Sequence, residues 1–326
     1  MPISWLPLPT PCTHAPYDSF SFGMTPFLCS LLIPCRNAAR FLPALFAGVQ
    51  AQRLPFAEII LWDDASTDDS AVIAERHGAR ILRAEKSAGP ATARNELVRA
   101  ARCDWVHLHD ADDLISPDYL ATLASQATPE TDLVVCDADW IDSTSRATVI
   151  AWRYHAAEYR AAPAAYLLTH PLGINNCIYR RATFLAERGY DPALVPWEDT
   201  DFHIRLALAG RRFVFVPQVL TWSVRHPGGI SMDYTRNWES RLRCLQRYAT
   251  AMPRWLNPVL ADEAEKAAAA LAALSSPATT SAIALCRQLG GDPPSTRHPV
   301  LRLLKPFLPT ATLLRWQERR RTGRNL

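Results

Sequence analysis

A chain of 326 residues can form one large domain or two small ones, and its 48% apolar content is that of a globular protein with a full core. A formal charge of +3 is too small to point to nucleic acid. No apolar run is long enough for a membrane span, and the eight cysteines form no Cys-x-x-Cys pair, which argues for buried thiols in a reducing cytosol over a disulfide framework.

Residues 1–23, broken by Pro2, Pro7, Pro9, Pro11 and Pro16, lack the basic start of a signal peptide and read as a disordered segment, with Met24 as an alternative start. Strand and helix patterns then alternate. Residues 28–33 are a nearly continuous apolar run closed by Pro34, a buried strand. A helical pattern covers 40–52, where Pro43 fits only the first turn. Residues 58–62 form a second strand ending at Asp63 and Asp64. Ser66 with Asp69 resembles a capping box opening a helix that Gly78 ends. Residues 79–82 are a third strand, Gly89-Pro90 opens a helix running to 101, and 105–108 are a fourth strand. Such alternation predicts an α/β fold with a parallel sheet and right-handed crossovers.

The second half is less regular. Residues 133–136, 148–152, 213–216 and 220–224 read as strands, and 162–169 and 200–209 as helices. The pattern is helical from about 238, Ala-rich over 264–274, and loop-like over 275–299.

The acids carry the chemistry. Asp63 and Asp64 follow one strand, and Asp110, Asp112 and Asp113 follow another. In a parallel sheet both sets lie at the carboxyl edge, where open α/β sheets bind ligands. Oxygen ligands at this spacing suit Mg²⁺ or Mn²⁺, and a metal held by one or two carboxylates keeps positions open for the phosphates of a nucleotide. The plainer reading is that Asp113 or Ser116 caps a helix near Pro117. Arg94, near the start of its helix, would face a diphosphate together with the helix N-terminus. Glu198, Asp199 and Asp201 open a helix beside Trp197. Capping accounts for one of them, and three suggest an acceptor site with Asp199 as general base and Glu198 and Asp201 next in line. His226 follows a strand and precedes Gly228-Gly229, a place suited to metal or phosphate.

Six motifs now stand in order: Leu-Leu-Ile-Pro-Cys-Arg-Asn at 31–37, Asp-Asp-Ala-Ser-Thr-Asp at 63–68, Gly-Pro-Ala-Thr-Ala-Arg-Asn at 89–95, Asp-Ala-Asp-Asp at 110–113, Glu-Asp-Thr-Asp at 198–201 and Arg-His-Pro-Gly-Gly-Ile-Ser at 225–231. With them the chain resembles a family 2 glycosyltransferase of the GT-A fold, a Rossmann-like, mostly parallel sheet flanked by helices, here with a C-terminal helical extension. The resemblance implies a catalytic domain over 24–235 and a helical region with a basic tail over 236–326. It implies an inverting, metal-dependent transferase that takes a nucleotide-sugar donor and a glycan or lipid-linked acceptor, as in cell-surface polysaccharide synthesis. Pro34, Asp63 and Asp64 would then meet the nucleoside, and Arg94 and Asp110 the ribose and diphosphate. Asp112, with Asp110 beside it, would ligate the metal, His226 would be a second protein ligand, and Asp199, next to Glu198, would be the base.

Two rival readings stand beside it. A nucleotidyltransferase would want a Gly-rich, basic loop after the first strand, where this chain has Pro34-Cys35-Arg36-Asn37. A non-catalytic binding protein keeping the fold would have no need of Asp112, Asp199 and Arg94 together. Near the C-terminus Leu301, Leu303, Leu304, Phe307, Leu308, Leu313, Leu314 and Trp316 lie among Arg302, Lys305, Arg315, Arg319, Arg320, Arg321 and Arg324, interrupted by Pro306 and Pro309. That mixture predicts either a weak anchor on an anionic membrane, making a cytoplasmic enzyme peripheral on the inner face, or a solvated tail behind a packed helix.

Overall fold

The structure, a computed structural model, describes residues 27–226, 228–293, 305 and 308–322. Strands β1 (Cys29–Cys35), β2 (Glu58–Asp63), β3 (Arg80–Arg83) and β4 (Trp105–Leu108) are parallel and lie in the order β3-β2-β1-β4. Helices α1 (Leu42–Gln50), α2 (Ser70–Arg76) and α3 (Pro90–Ala100) connect them. Alternation along β1 explains its place between two layers. Leu31 and Ile33 pack with Leu42, Leu45 and Phe46 of α1, while Leu32 packs with Ile60, Leu97 and Val106. Strands β2 and β3 build on one side of β1 and β4 on the other. The carboxyl ends of β1 and β4 therefore flank a topological switch point.

The rest of the sheet is mixed. It adds β5 (Leu114–Ile115), β6 (Leu133–Asp142), β7 (Thr148–Trp152), β8 (Cys177–Arg180) and β9 (Phe213–Arg225) in the overall order β3-β2-β1-β4-β8-β6-β9-β5, with β7 on β6. Strand β8 runs antiparallel to both β4 and β6, β6 and β9 are parallel, and β5 is antiparallel to β9. The two strands expected at 213–216 and 220–224 are one. Its register against β6 slips between Val216 and Val219, so Pro217, which has no N–H to give, sits at the irregularity. Helices α4 (Tyr119–Ala124), α5 (Ala156–Ala161), α6 (Pro163–Thr169), α7 (Arg181–Ala186) and α8 (Glu198–Leu208) complete this half.

Two capping expectations fail. Helix α2 begins at Ser70, beyond a left-handed turn at Ala65 (φ 58°). Ser66 Oγ instead accepts from Asn37 N (3.0 Å), and Asp68 accepts from the Ser70 N–H and hydroxyl and from Ala39 N. Near Pro117, α4 starts at Tyr119 with no side-chain cap, and Asp113 reaches across to β9.

Residues 275–299, expected as loop, contain α11 (Thr279–Gln288). Its Thr279, Ala282, Leu285 and Cys286 form a buried stripe that the polar composition hides. It packs on α10 (Asn257–Ala273), the helix that α9 (Tyr234–Ala251) and α12 (Thr310–Thr322) also pack on. Leu242, Leu245, Tyr248, Leu260, Ala264, Leu271 and Leu314 belong to the same buried cluster as Leu32, Ile60, Val106 and Leu133, so these helices and the sheet share one core. Leu313 and Leu314 are buried, leaving Arg315 and Arg319 exposed. The expectations for residues 1–23, and for Leu301, Arg302, Leu303, Leu304, Pro306, Phe307 and Arg324, fall outside the described residues. No helix of the described residues is long and apolar enough to cross a membrane. The described cysteines are all free and buried.

Candidate active site

The switch point gathers side chains from six segments. Pro34 lies near the end of β1, and β1 pairs Cys35 with Asp63 at the end of β2. Asp63 Oδ1 accepts from Ser66 N (2.9 Å) and shapes the turn that follows. Asp64 is buried and fully engaged: it accepts from Ser87 Oγ (2.6 Å), Ala88 N (2.8 Å), Gly89 N (3.1 Å) and Trp62 Nε1 (3.4 Å). Burial would raise its pKa, but these hydrogen bonds hold the carboxyl below its usual range. Asp64 thereby ties the end of β2 to the loop that enters α3. Asn37, at a φ of 52°, closes the opposite side of this turn by accepting from Thr67 N (2.8 Å).

Arg94 is no surface arginine. Its side chain is 7% exposed and bridges two acids, donating from Nη2 to Asp110 Oδ1 (2.6 Å) and from Nη1 to Glu198 Oε1 (2.8 Å). Burial opposes the charge, but Asp110 and Glu198 outweigh it and hold the guanidinium above its ordinary pKa. One side chain from α3 thus links the strand-end acids to the first turn of α8.

In that turn Glu198 uses both oxygens, the second accepting from Trp197 N (3.0 Å). Burial pushes Glu198 up to about 7; Arg94 pulls down and Asp199 pushes up. Asp199 uses one oxygen, Oδ1, which accepts from the N–H (2.6 Å) and hydroxyl (3.3 Å) of Thr200. Its Oδ2 has no protein partner among the described residues. Burial raises Asp199, Thr200 and Arg94 oppose the rise, and Asp110 adds to it. Asp201, although in the same turn, is absent from this group. It points into the helical core, bound to Arg205, Arg247 and Tyr248.

Asp112 Oδ2 lies 2.7 Å from His226 Nε2, joining the β4 end to the β9 end. Burial and the neighbouring Asp110 push the Asp112 carboxyl up, against the pull of His226. Asp113 is buried; it accepts from Val224 N (2.7 Å) and pairs with the Asn175 amide. Burial, Asp112 and Asp110 raise it well above a free carboxyl. Asp112 and His226 are in contact, and a divalent cation held by this pair would relieve the repulsion from Asp110. Among the described residues no group of three or more His, Cys, Asp or Glu side chains is arranged to hold a metal ion.

The sequence profile of "Glycosyl transferase family 2" matches residues 30–189, which hold β1 to β8 and the acids at 63–64 and 110–113. Residues 30–189 form a glycosyl transferase family 2 domain. It is 28% identical over 209 residues to the succinoglycan biosynthesis protein ExoU of Rhizobium meliloti, an alignment covering 57% of this chain and 58% of that one. The chain thus spans a little over half the length of that curated relative. TarS of S. aureus, solved with UDP-GlcNAc, superposes with a TM-score of 0.56 at 16% identity, covering 80% of this chain and 89% of that one. The mannosyltransferase PcManGT from Pyrobaculum calidifontis, solved with GDP-Man and Mn²⁺, superposes with a TM-score of 0.57 at 18% identity, covering 89% and 79%. At these identities the likeness is one of fold, and the fold is GT-A, with its helical extension at the C-terminus.

Several residues that hold this family 2 site together carried no sequence signal. Asn175, buried in the segment before β8, accepts from Asp110 N (2.8 Å) and binds Asp113. Ser87 bridges Asp64 and Arg36. His107 and His109 form a buried chain with Tyr119, and burial pushes His109 down to about 4, so the chain is neutral. An Asn-Asn pair inside the apolar run 174–179 was the one available hint, since buried amides need partners.

Proposed function

We propose that the protein is an inverting, metal-assisted glycosyltransferase that moves a sugar from a nucleoside diphosphate donor to a hydroxyl of a glycan or lipid-linked acceptor. The observation that carries this reading is the division of labour in the first turn of α8. Glu198 has both oxygens engaged, whereas Asp199 Oδ2 has no partner among the described residues and the carboxyl has a raised proton affinity. Such a group takes a proton from the acceptor hydroxyl as its oxygen attacks the anomeric carbon. Attack from the face opposite the leaving diphosphate inverts that carbon in one displacement. Asp112 and His226 would hold Mg²⁺ or Mn²⁺, which when bound offsets the charge growing on the diphosphate. Two protein ligands leave positions for phosphate oxygens and water, as Mg²⁺ and Mn²⁺ prefer. The neighbours solved with UDP-GlcNAc and with GDP-Man and Mn²⁺ support a donor of this class.

Pro34, Asp63 and Asp64 line the nucleoside side. Arg94 acts on the donor through Asp110, because both of its terminal nitrogens already meet carboxylates. The helices from α9 onward buttress the catalytic sheet through the shared core. Buried free thiols support a reducing compartment, and outward Arg315 and Arg319 support contact with an anionic membrane surface.

A thermal-shift screen of UDP-, GDP- and dTDP-sugars with and without Mn²⁺ tests the reading. A true donor at ~100 times its dissociation constant adds about 2.7 kcal/mol of stability. We expect one nucleotide class to stabilise the protein in the presence of Mn²⁺ and Asp112→Asn to remove the metal dependence. No stabilisation by any of them, or an unchanged Mn²⁺ effect in Asp112→Asn, overturns it.

A further inference from the structure

Near the acids lies a group of large side chains that the core takes up only in part, through Trp152. Trp140 on β6 is half-buried and packs against none of the three hydrophobic clusters. Trp152 on β7 meets it with ring centroids 5.1 Å apart and planes at 40°. Across the sheet, Arg225 on β9 brings its guanidinium to 5.7 Å from the centre of the Trp140 ring and donates to the Tyr234 hydroxyl (2.7 Å). Its other contact is the Met232 sulfur (3.3 Å). Tyr234, Met232 and Ile230 are 37%, 36% and 46% exposed. One arginine therefore fixes an indole and a phenol on either side of itself at the surface.

This patch is continuous with the catalytic edge. The parallel register of β6 and β9 sets Trp140 beside Ser223 and Asp142 beside Arg225. Paired residues in adjacent strands stand about 4.8 Å apart and face the same way. Ser223 Oγ lies 3.5 Å from the Asn175 amide, which in turn holds Asp110 and Asp113. Trp152 rests on the same segment: a Cβ at Gly173 would come within 2.8 Å of its ring. Arg225 immediately precedes His226, the partner of Asp112. Trp140 is thus linked to the acids through Ser223 and Asn175.

We infer that Trp140, Trp152, Arg225 and Tyr234 form an acceptor subsite for a β-linked pyranose with equatorial substituents. The inference rests on the glycosyl-transfer reading and names the acceptor chemistry of that site. Such a sugar presents a flat face of axial C–H groups, which covers an aromatic ring, and a rim of hydroxyls, which bond to a guanidinium and a phenol. The patch has the same two characters, interleaved. A lipid tail or a protein partner would use a continuous apolar surface instead, and here the aromatics are separated by charge and hydroxyl. A half-buried indole held between a core-packed tryptophan and an arginine is a preformed platform for a ligand with a flat apolar face.

The test uses the full chain and fluorescein-labelled tetrasaccharides of β-1,4-glucose, β-1,3-glucose and β-1,4-N-acetylglucosamine, with binding read by polarisation in the presence of Mn²⁺ and UDP or GDP. We expect at least one to bind saturably, Trp140→Ala to weaken it at least tenfold, and Trp140→Phe to restore most of the affinity. Melting temperature and nucleoside diphosphate affinity stay within error of the unaltered chain, because Trp140 packs on no core. Absence of binding by all three sugars, or equal binding by Trp140→Ala, overturns the subsite. Failure of the unaltered chain to bind any nucleoside diphosphate instead overturns the catalytic reading beneath it.

Discussion

The first turn of α8 holds acids of two kinds, and the contrast separates structure from chemistry. Asp201 is fully buried and fully matched: Arg205 Nε, Arg247 Nη1 and the Tyr248 hydroxyl each lie 2.9 Å from its oxygens, and Arg247 also binds Asp191. Around the switch point the balance is different. Asp110, Asp112, Asp113, Glu198 and Asp199 share the Arg94 guanidinium and the His226 imidazole. Burial raises the proton affinity of Asp112, Asp113, Glu198 and Asp199, and like charges add to it. A buried acid whose partners are complete holds elements together. A set of acids with too few cations is poised for charge that arrives with a ligand.

Substitutions can break or sharpen this contrast. The largest effect belongs to Asp199→Asn, expected to lower turnover by about 10²–10⁴-fold with donor affinity and melting temperature unchanged, as for loss of a general base. Steady-state kinetics beside a thermal melt checks it, and near-normal turnover moves the base elsewhere. Next is Asp201→Asn, which removes the buried carboxylate that Arg205 and Arg247 share. It should cost about 3–5 kcal/mol of stability, the usual loss when a buried ion pair is broken, while the folded fraction keeps its donor affinity. Urea unfolding reads the loss, and a change below about 1 kcal/mol would erase the distinction between the two acids. The smallest effect is on pH dependence. Asp199 must be charged to accept a proton, and its pKa is raised, so activity rises with pH along a limb above the ordinary carboxylate range. Glu198 is linked to it: burial and the Asp199 charge, against the pull of Arg94, push Glu198 up to about 7, and a charge on Glu198 would raise Asp199 in return. Glu198→Gln removes that charge and should move the limb to lower pH by up to about one unit, equivalent to about 1.4 kcal/mol. A limb that stays in place shows that the two carboxyls do not interact.

The sequence was most legible where structure is local. From β1 to β4 each strand is a short apolar run and each helix a periodic one, so order, direction and the convergence of Asp63, Asp64 and Asp110 followed from topology alone. Legibility fell where partners are distant. Strand β8 is four residues, Cys177–Arg180, and its antiparallel place between β4 and β6 leaves no local mark. Helix α11 was hidden because Ser, Thr and Pro around it outweighed a four-residue buried stripe. Within the site, residue types were readable but not their partners. Arg94 reads as a phosphate binder because it opens a helix, and only the fold brings Glu198, 104 positions away, to its other nitrogen. Asp113 reads as a cap because a helix follows, and only the return of β9 offers the Val224 N–H.

The pairing of β6 with β9 also sets an order of assembly. Leu133 lies beside Phe213, so the ladder closes a loop of some eighty residues, about as long as the one between β1 and β4, whereas β1 meets β2 through a much shorter connection. Closing long loops late is the general rule, because their entropy is lost before their contacts form. The acids at 63–64 therefore lie in the part that closes early, and those at 110–113 join them when β4 pairs with β1. His226 and Arg225 arrive only when β9 is laid down against β6.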